Sequence, residues 1–260
     1  MEINKHICIW CQAEVTLATS TIEHIIPEPL GCPENFVLKD GQICRACNNQ
    51  LGHIDQAIID NYDFMTFFQG IPRKRNRPPI ISNRGNVIGR TISGEPFLQI
   101  NMEKYPISTD DGTKIAPSGK SKRSIKSKFE RKGKYAHVNF KISFGDDRKF
   151  IRGIYKVAFE SLVFFLGANL ALNKSFDAIR DYVLRDFGER KILLLSPEDN
   201  SYRHEILPPY SGDVDEYVVG IRLGVINYIV DLSSNMRVFT TIRNHLEQTY
   251  GKQGWSYLPV

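Results

Sequence analysis

Two pairs of cysteines at matched spacing, Cys8-Ile9-Trp10-Cys11 and Cys44-Arg45-Ala46-Cys47, are the residues of this sequence best equipped for chemistry. Two residues between thiols let both sulfurs of a pair turn toward one ion from a tight knuckle, and two knuckles complete a tetrahedral set. Either pair alone reads equally as a redox Cys-x-x-Cys; two pairs with 32 residues between them favour a four-cysteine zinc site. Four protein ligands close the ion to substrate, so such a zinc is structural. Cys32, the fifth cysteine, reads as a buried apolar residue.

Between the knuckles lies Glu23-His24-Ile25-Ile26-Pro27, and Asn48 follows Cys47 directly, 24 residues after His24. Carboxylate and carboxamide oxygens are hard donors suited to Mg²⁺ or Mn²⁺, and a neutral imidazole near pH 7 takes a proton from water. Those are the parts of a metal-assisted phosphodiester hydrolysis. Adjacent side chains of a regular strand point to opposite faces, so Glu23 and His24 address one phosphate only if the strand ends or bulges there. Pro27 and Pro29 place an end nearby. The plain structural alternatives are a salt-bridged or surface carboxylate for Glu23 and a core histidine for His24.

Cys8, Cys11, Glu23-His24-Ile25-Ile26-Pro27, Leu30-Gly31, Cys44, Cys47-Asn48 and Leu51-Gly52, in that order, resemble the zinc-stapled HNH endonucleases of the ββα-metal superfamily. The resemblance covers roughly residues 6 to 61. It implies His24 as general base, Glu23 and Asn48 as ligands of a catalytic divalent ion, and DNA as substrate, with RNA left open. It also implies a setting of restriction, homing or antiviral defence. A zinc-stapled nucleic-acid binder with a degenerate site is the rival class, and a nuclease subunit inactive outside its complex is a third reading. His53 is the other imidazole near Asn48, but helical spacing puts Asn48 on a face with Leu51, Gly52 and Asp55 and turns His53 away.

These groups need a helix and a hairpin to hold them. From Arg45 onward Leu51, Ile54, Ile58 and Tyr62 form a helical apolar stripe. The expected class is α+β: a nuclease module over residues 1–70, a basic, proline-containing linker over 71–85, and an α+β domain of unknown role over 86–260. In that last part Phe150 to Leu172 reads as a nearly all-buried helix with Gly167 as a kink or end. A second helix follows with Ser175 as N-cap and Gly188 at its close. Strands are expected at His137–Ser143, Lys191–Leu195, Tyr217–Leu223 and Val225–Leu232, the last two as one bent strand, and a short helix at Thr240–Tyr250. His204 and His245 read as surface residues.

With 34 Lys and Arg against 29 Asp and Glu, the net charge is +5, and 42% of the 260 residues are hydrophobic, enough for a sizeable core. The basic residues cluster: Lys120, Lys122, Arg123, Lys126, Lys128, Arg131, Lys132 and Lys134 sit beside Phe129 and Tyr135, a composition suited to backbone phosphates or to a solvated loop. Met1 to His6 carries no export signal, and the longest apolar run, Leu162 to Leu172, has only 11 residues. A soluble cytoplasmic protein is expected, with no membrane partner and with a partner protein or a second copy left open.

Overall fold

The computed structural model describes residues 6–84, 87–100, 107–108, 114–116, 126–132, 135–141, 144–145, 147–196, 199, 201–212 and 216–259. The chain is α+β and divides into two compact units, Met1–Asn61 with Gly145–Val260, and Tyr62–Phe144. Division into 1–70, 71–85 and 86–260 runs across these units: the unit that carries the cysteines also carries the chain's return from residue 145 onward.

In the first unit, strands β1 (His6–Ile7) and β2 (Glu14–Val15) pair antiparallel and hold the first cysteine pair in their turn. Strands β3 (Glu23–His24) and β4 (Val37–Leu38) pair with Glu23 opposite Leu38 and His24 opposite Val37. Helix α1 (Arg45–Phe68) starts inside the second cysteine pair. Its stripe Leu51, Ile54, Ile58 and Tyr62 is fully buried, as helical periodicity requires.

The second unit begins in the last turns of α1. Strands β5 (Ile81–Arg84), β6 (Val87–Ile92) and β7 (Glu95–Ile100) form an antiparallel sheet around Phe64, Phe67, Ile81 and Val87. Positive φ at Ser93 and Gly94, 52° and 87°, makes the two-residue β6–β7 turn match strand twist. Strands β8 (Ile107–Ser108), β9 (Lys114–Ala116), β10 (Lys126–Lys132) and β11 (Tyr135–Lys141) form a second antiparallel sheet.

Helix α2 (Arg148–Leu166) returns the chain to the first unit, with Asp147 Oδ1 accepting from Lys149 N at 2.9 Å as its N-cap. Every residue from Phe150 to Val163 is buried, including Lys156 and Glu160. Burial on all faces follows from position: α2 packs on the C-terminal sheet and also on β4 and α1. Gly167 ends α2 at φ 89°, so the helix stops short of Leu172 and the short α3 (Ala168–Ala171) follows.

Helix α4 (Asp177–Arg185) is preceded by a 3₁₀ turn that Asn173 caps, its Oδ1 accepting from Ser175 N at 3.0 Å. The cap expected at Ser175 thus belongs to Asn173, and Asp186, at φ 61°, ends α4 two residues before Gly188. Strands β12 (Ile192–Leu195), β13 (Arg203–Ile206), β14 (Tyr210–Ser211), β15 (Tyr217–Gly224), β16 (Ile226–Asp231) and β17 (Trp255–Leu258) make a sheet ordered β13-β15-β16-β12-β17, with β14 paired to β15. The stretch expected as one bent strand is two, because Gly224, at φ 61°, reverses the chain into an antiparallel hairpin. Helix α5 (Arg237–Tyr250) lies between β16 and β17. Among the described residues no helix is long and apolar enough to cross a membrane.

Candidate active site and its zinc knuckles

The thiols of Cys8, Cys11, Cys44 and Cys47 lie within 4.8 Å of one another. Cys11 and Cys44 sulfurs stand 3.7 Å apart. That separation is far too long for a disulfide and close to the edge, about 3.8 Å, of a regular tetrahedron with bonds of about 2.3 Å to zinc. Backbone N–H groups steer the sulfurs: Cys44 N donates to Cys8 Sγ and Cys47 N to Cys44 Sγ, both at 3.4 Å. A hydrogen bond from the Cys47 thiol holds Cys8 down at about 4, and the same bond pushes Cys47 up. The donor set therefore fits one thiolate-bound tetrahedral ion such as zinc. Cys32, half-buried, lies outside the cluster, its thiol directed at the carbonyls of Pro33 and Phe36.

The second knuckle sets the start of α1 against the approach to β3. Arg45 N donates to Thr19 O at 2.8 Å, and Ser20 bridges Cys44. Asn48, in the first turn, donates from Nδ2 to Ile22 O at 3.2 Å and to Thr21 Oγ1 at 3.4 Å. Only the amide nitrogen can serve a carbonyl acceptor, so these contacts use Nδ2 and not Oδ1. His24 is half-buried and makes no hydrogen bond among the described residues. His53 lies on the exposed surface of α1 with Nδ1 2.6 Å from Gln50 O.

Glu23 points inward. Its carboxylate Oε1 is hydrogen-bonded to Lys156 Nζ of α2, and its residue exposure is 4%. Lys156, completely buried, also reaches Asp55 Oδ1 at 2.9 Å and Glu160 Oε2 at 3.4 Å. Trp10, inside the first knuckle, donates Nε1 to Glu160 Oε1 at 3.1 Å and packs on Phe159 at 4.9 Å between ring centroids. Burial raises the Glu160 carboxyl well above its ordinary range. Burial also raises Glu23, with Lys156 opposing the rise. For Lys156 burial pulls downward, but Asp55, Glu160 and Glu23 together hold it charged.

The strand therefore keeps its regular alternation: Glu23 turns into the core and His24 outward. Asn48 and the start of β3 are brought together, whereas the Glu23 carboxylate is engaged elsewhere. Among the described residues the cysteine tetrad is the one group of three or more His, Cys, Asp or Glu placed for a metal. In this arrangement Glu23, buried and charge-matched by Lys156, does not fit a divalent ion.

The loop after β3 is fixed from the C-terminal sheet. Glu28–Leu30 forms a 3₁₀ turn ended by Gly31 at φ 87°, a left-handed position that favours glycine. The Leu30 carbonyl accepts from Tyr202 Oη at 3.0 Å and from His204 Nε2 at 2.6 Å. Gly224 N donates to His204 Nδ1 at 3.3 Å, which puts the ring proton on Nε2. Burial lowers the His204 pKa, so the imidazole is neutral and structural, not a surface residue. Of the basic residues, Lys126, Lys128, Arg131 and Lys132 lie on β10; Lys120, Lys122, Arg123 and Lys134 lie outside the described residues.

Residues 8–63 match the family model described as HNH endonuclease. That match identifies the N-terminal part as an HNH module of nuclease type, whose cysteine tetrad is consistent with a zinc staple, and it implies a nucleic-acid substrate and the divalent metals that HNH nucleases use. Neither the curated proteins nor the solved structures give a match to this chain.

Proposed function

We propose that this protein is an endonuclease that hydrolyses DNA phosphodiester bonds, with His24 as general base. The observation that carries the reading is the HNH family match over residues 8–63, in which β3 carries half-buried His24 and Asn48, in the first turn of α1, donates to the carbonyl of Ile22 just before β3. An imidazole with no competing side-chain hydrogen bond is available to take a proton from a water aimed at phosphorus. Asn48 is the proposed holder of a Mg²⁺ or Mn²⁺ ion; Glu23, the other ligand that the resemblance implies, is engaged by Lys156. Backbone phosphates are assigned in the same proposal to the basic residues of 120–134, and a restriction or defence setting to the family resemblance.

Supercoiled plasmid incubated with the zinc-loaded protein and Mg²⁺, Mn²⁺ or EDTA tests this. Ion-dependent nicking that is lost in His24→Ala, with zinc content and fold retained, is the expected result; equal nicking by His24→Ala refutes the assignment. One observation favours a second reading, a nucleic-acid binder with a spent nuclease site: the motif acid is internally neutralised by Lys156. In that case plasmid is bound and retarded but never cut under any ion.

A further inference from the structure

The start of α2, the middle of α4, the run from Glu189 into β12 and the residue after β17 line a cavity of about 400 Å³. It lies within the first unit, and Arg148, Arg190 and Lys191 face a single lining carboxylate, Glu189. We propose that this cavity binds a phosphate monoester: Arg190, Lys191 and the Tyr182 hydroxyl take the terminal phosphate, and the organic part lies against Ile151 and Pro259. The inference stands apart from the nuclease reading, since none of these residues falls within the HNH match at 8–63.

Arg190 is the residue that calls for an anion. It is 5% exposed, yet its guanidinium donates to neutral acceptors, Ser233 O at 2.5 Å and Ser234 O at 3.0 Å, and among the described residues no carboxylate pairs with it. Asp231, an acid of the same neighbourhood, has both oxygens on backbone N–H groups, those of Ser233 and Phe239, each at 2.7 Å. A buried cation without a counter-charge is costly, and an anion in the cavity supplies that charge. Lys191 also lacks a carboxylate partner among the described residues; its Nζ stands 4.9 Å from the Tyr257 ring centroid. Tyr155 Oη donates to Lys191 O at 2.9 Å and so fixes the backbone that carries both cations. Arg148, by contrast, is paired with Asp186 and feels Glu189, so its charge is already answered. The Tyr182 hydroxyl makes no hydrogen bond among the described residues, where the buried side-chain oxygens left unbonded are Glu160 Oε2 and Ser175 Oγ, so it opens on accessible space. Burial pushes its pKa up to about 12, which keeps it a donor. Two unanswered cations and a neutral donor suit a dianionic terminal phosphate better than a diester, which carries one charge and must leave the cavity at two ends. The volume falls within the roughly 300–1,000 Å³ of small-molecule sites and leaves room for the group that bears the phosphate.

Calorimetric titration of the zinc-loaded full chain with adenosine 5′-monophosphate and with adenosine tests the site without reference to cleavage. The monophosphate is expected to bind at least tenfold tighter than the nucleoside and to be displaced by inorganic phosphate. That advantage should vanish in Arg190→Gln and in Lys191→Gln and persist in Lys174→Gln, which removes an equal charge from the exposed surface of the same unit. Nucleotide and nucleoside binding alike, or an advantage that survives in Lys191→Gln, overturns the proposal. A single strand bearing a 5′-phosphate separates the sources of the group. Tighter binding than by the same strand with a 5′-hydroxyl, lost in Lys191→Gln, supports the site and assigns it a nucleic-acid end; no gain from the strand's phosphate, with the monophosphate bound, supports it as a site for a small ligand. If Arg190→Gln does not fold, the half-buried Lys191 carries the test in the parent. Adenosine 5′-monophosphate should slow its acylation by an amine-reactive ester at least threefold, mapped by mass spectrometry, where adenosine does not, and unchanged reactivity overturns the site.

Discussion

Gly153 sets how closely α1 and α2 approach, and replacing it by alanine probes the whole carboxylate cluster. A Cβ at this position would stand 2.6 Å from Ile58 Cγ1, 2.8 Å from Ile58 Cδ1 and 3.1 Å from Ile54 Cγ2. Carbon atoms settle at about 3.5–4.0 Å, so the helices must part by about 1 Å or the isoleucines must leave their rotamers. Lys156 lies three residues on from Gly153, on the same face, and Asp55 follows Ile54. Parting by that amount stretches the 2.9 Å contact between Lys156 and Asp55 to about 3.9 Å, beyond hydrogen-bond range. Overpacking of this kind costs about 1–3 kcal/mol, and the helix propensity of alanine returns about 1 kcal/mol, to which the weakened ion contact adds a further loss. A net destabilisation of about 1–3 kcal/mol is expected. Urea unfolding of the zinc-loaded protein measures it as a lower midpoint at unchanged slope. Gly52→Ala is the control: it is also helical, nothing lies within 4 Å of its added Cβ, and it should stabilise by about 0.5–1 kcal/mol. Shifts of the same sign for the two variants would refute the close-approach argument.

Two further outcomes are open to direct measurement. One zinc per chain is expected by elemental analysis, and its chelation should shift Trp10 emission to the red, because the first knuckle holds that indole on Glu160 and Phe159; emission indifferent to chelation contradicts this. His204 has a pKa lowered by burial, so the folded protein binds fewer protons there than the unfolded chain near its usual value of about 6.5. Its contribution is present above about pH 6.5 and is lost as the pH falls toward and through the lowered folded value. The drop in urea midpoint between pH 7.5 and 5.5 should thus be smaller in His204→Gln than in the parent, and an equal drop counts against the neutral clamp on Leu30.

Local signals carried much of this architecture. Cys-x-x-Cys spacing is a ligand geometry written in two residues, and the stripe of α1 and the near-total apolarity of α2 are periodicities any helix must show. Lys156 escaped because its partners come from β3, α1 and its own next turn, a set only the fold assembles. A signal did exist: Lys156 and Glu160, charged and four apart inside a largely apolar helix that also carries Arg152, need internal partners. His204 looked superficial among polar neighbours because the carbonyl it serves is 174 residues away. The division into compact units was less legible. The chain leaves the first unit within α1, at Tyr62, where the helical periodicity runs on unbroken, and it returns at Gly145.

The interrupted layout of the first unit also orders events at the ribosome. Glu23 emerges 133 residues before Lys156, an interval of roughly 7–27 s at roughly 5–20 residues per second. Throughout that time the knuckles can bind zinc, but the motif acid has no ammonium to meet and Trp10 no carboxyl to cap. Completion of the first unit thus waits on translation of the 62–144 segment that separates its two halves.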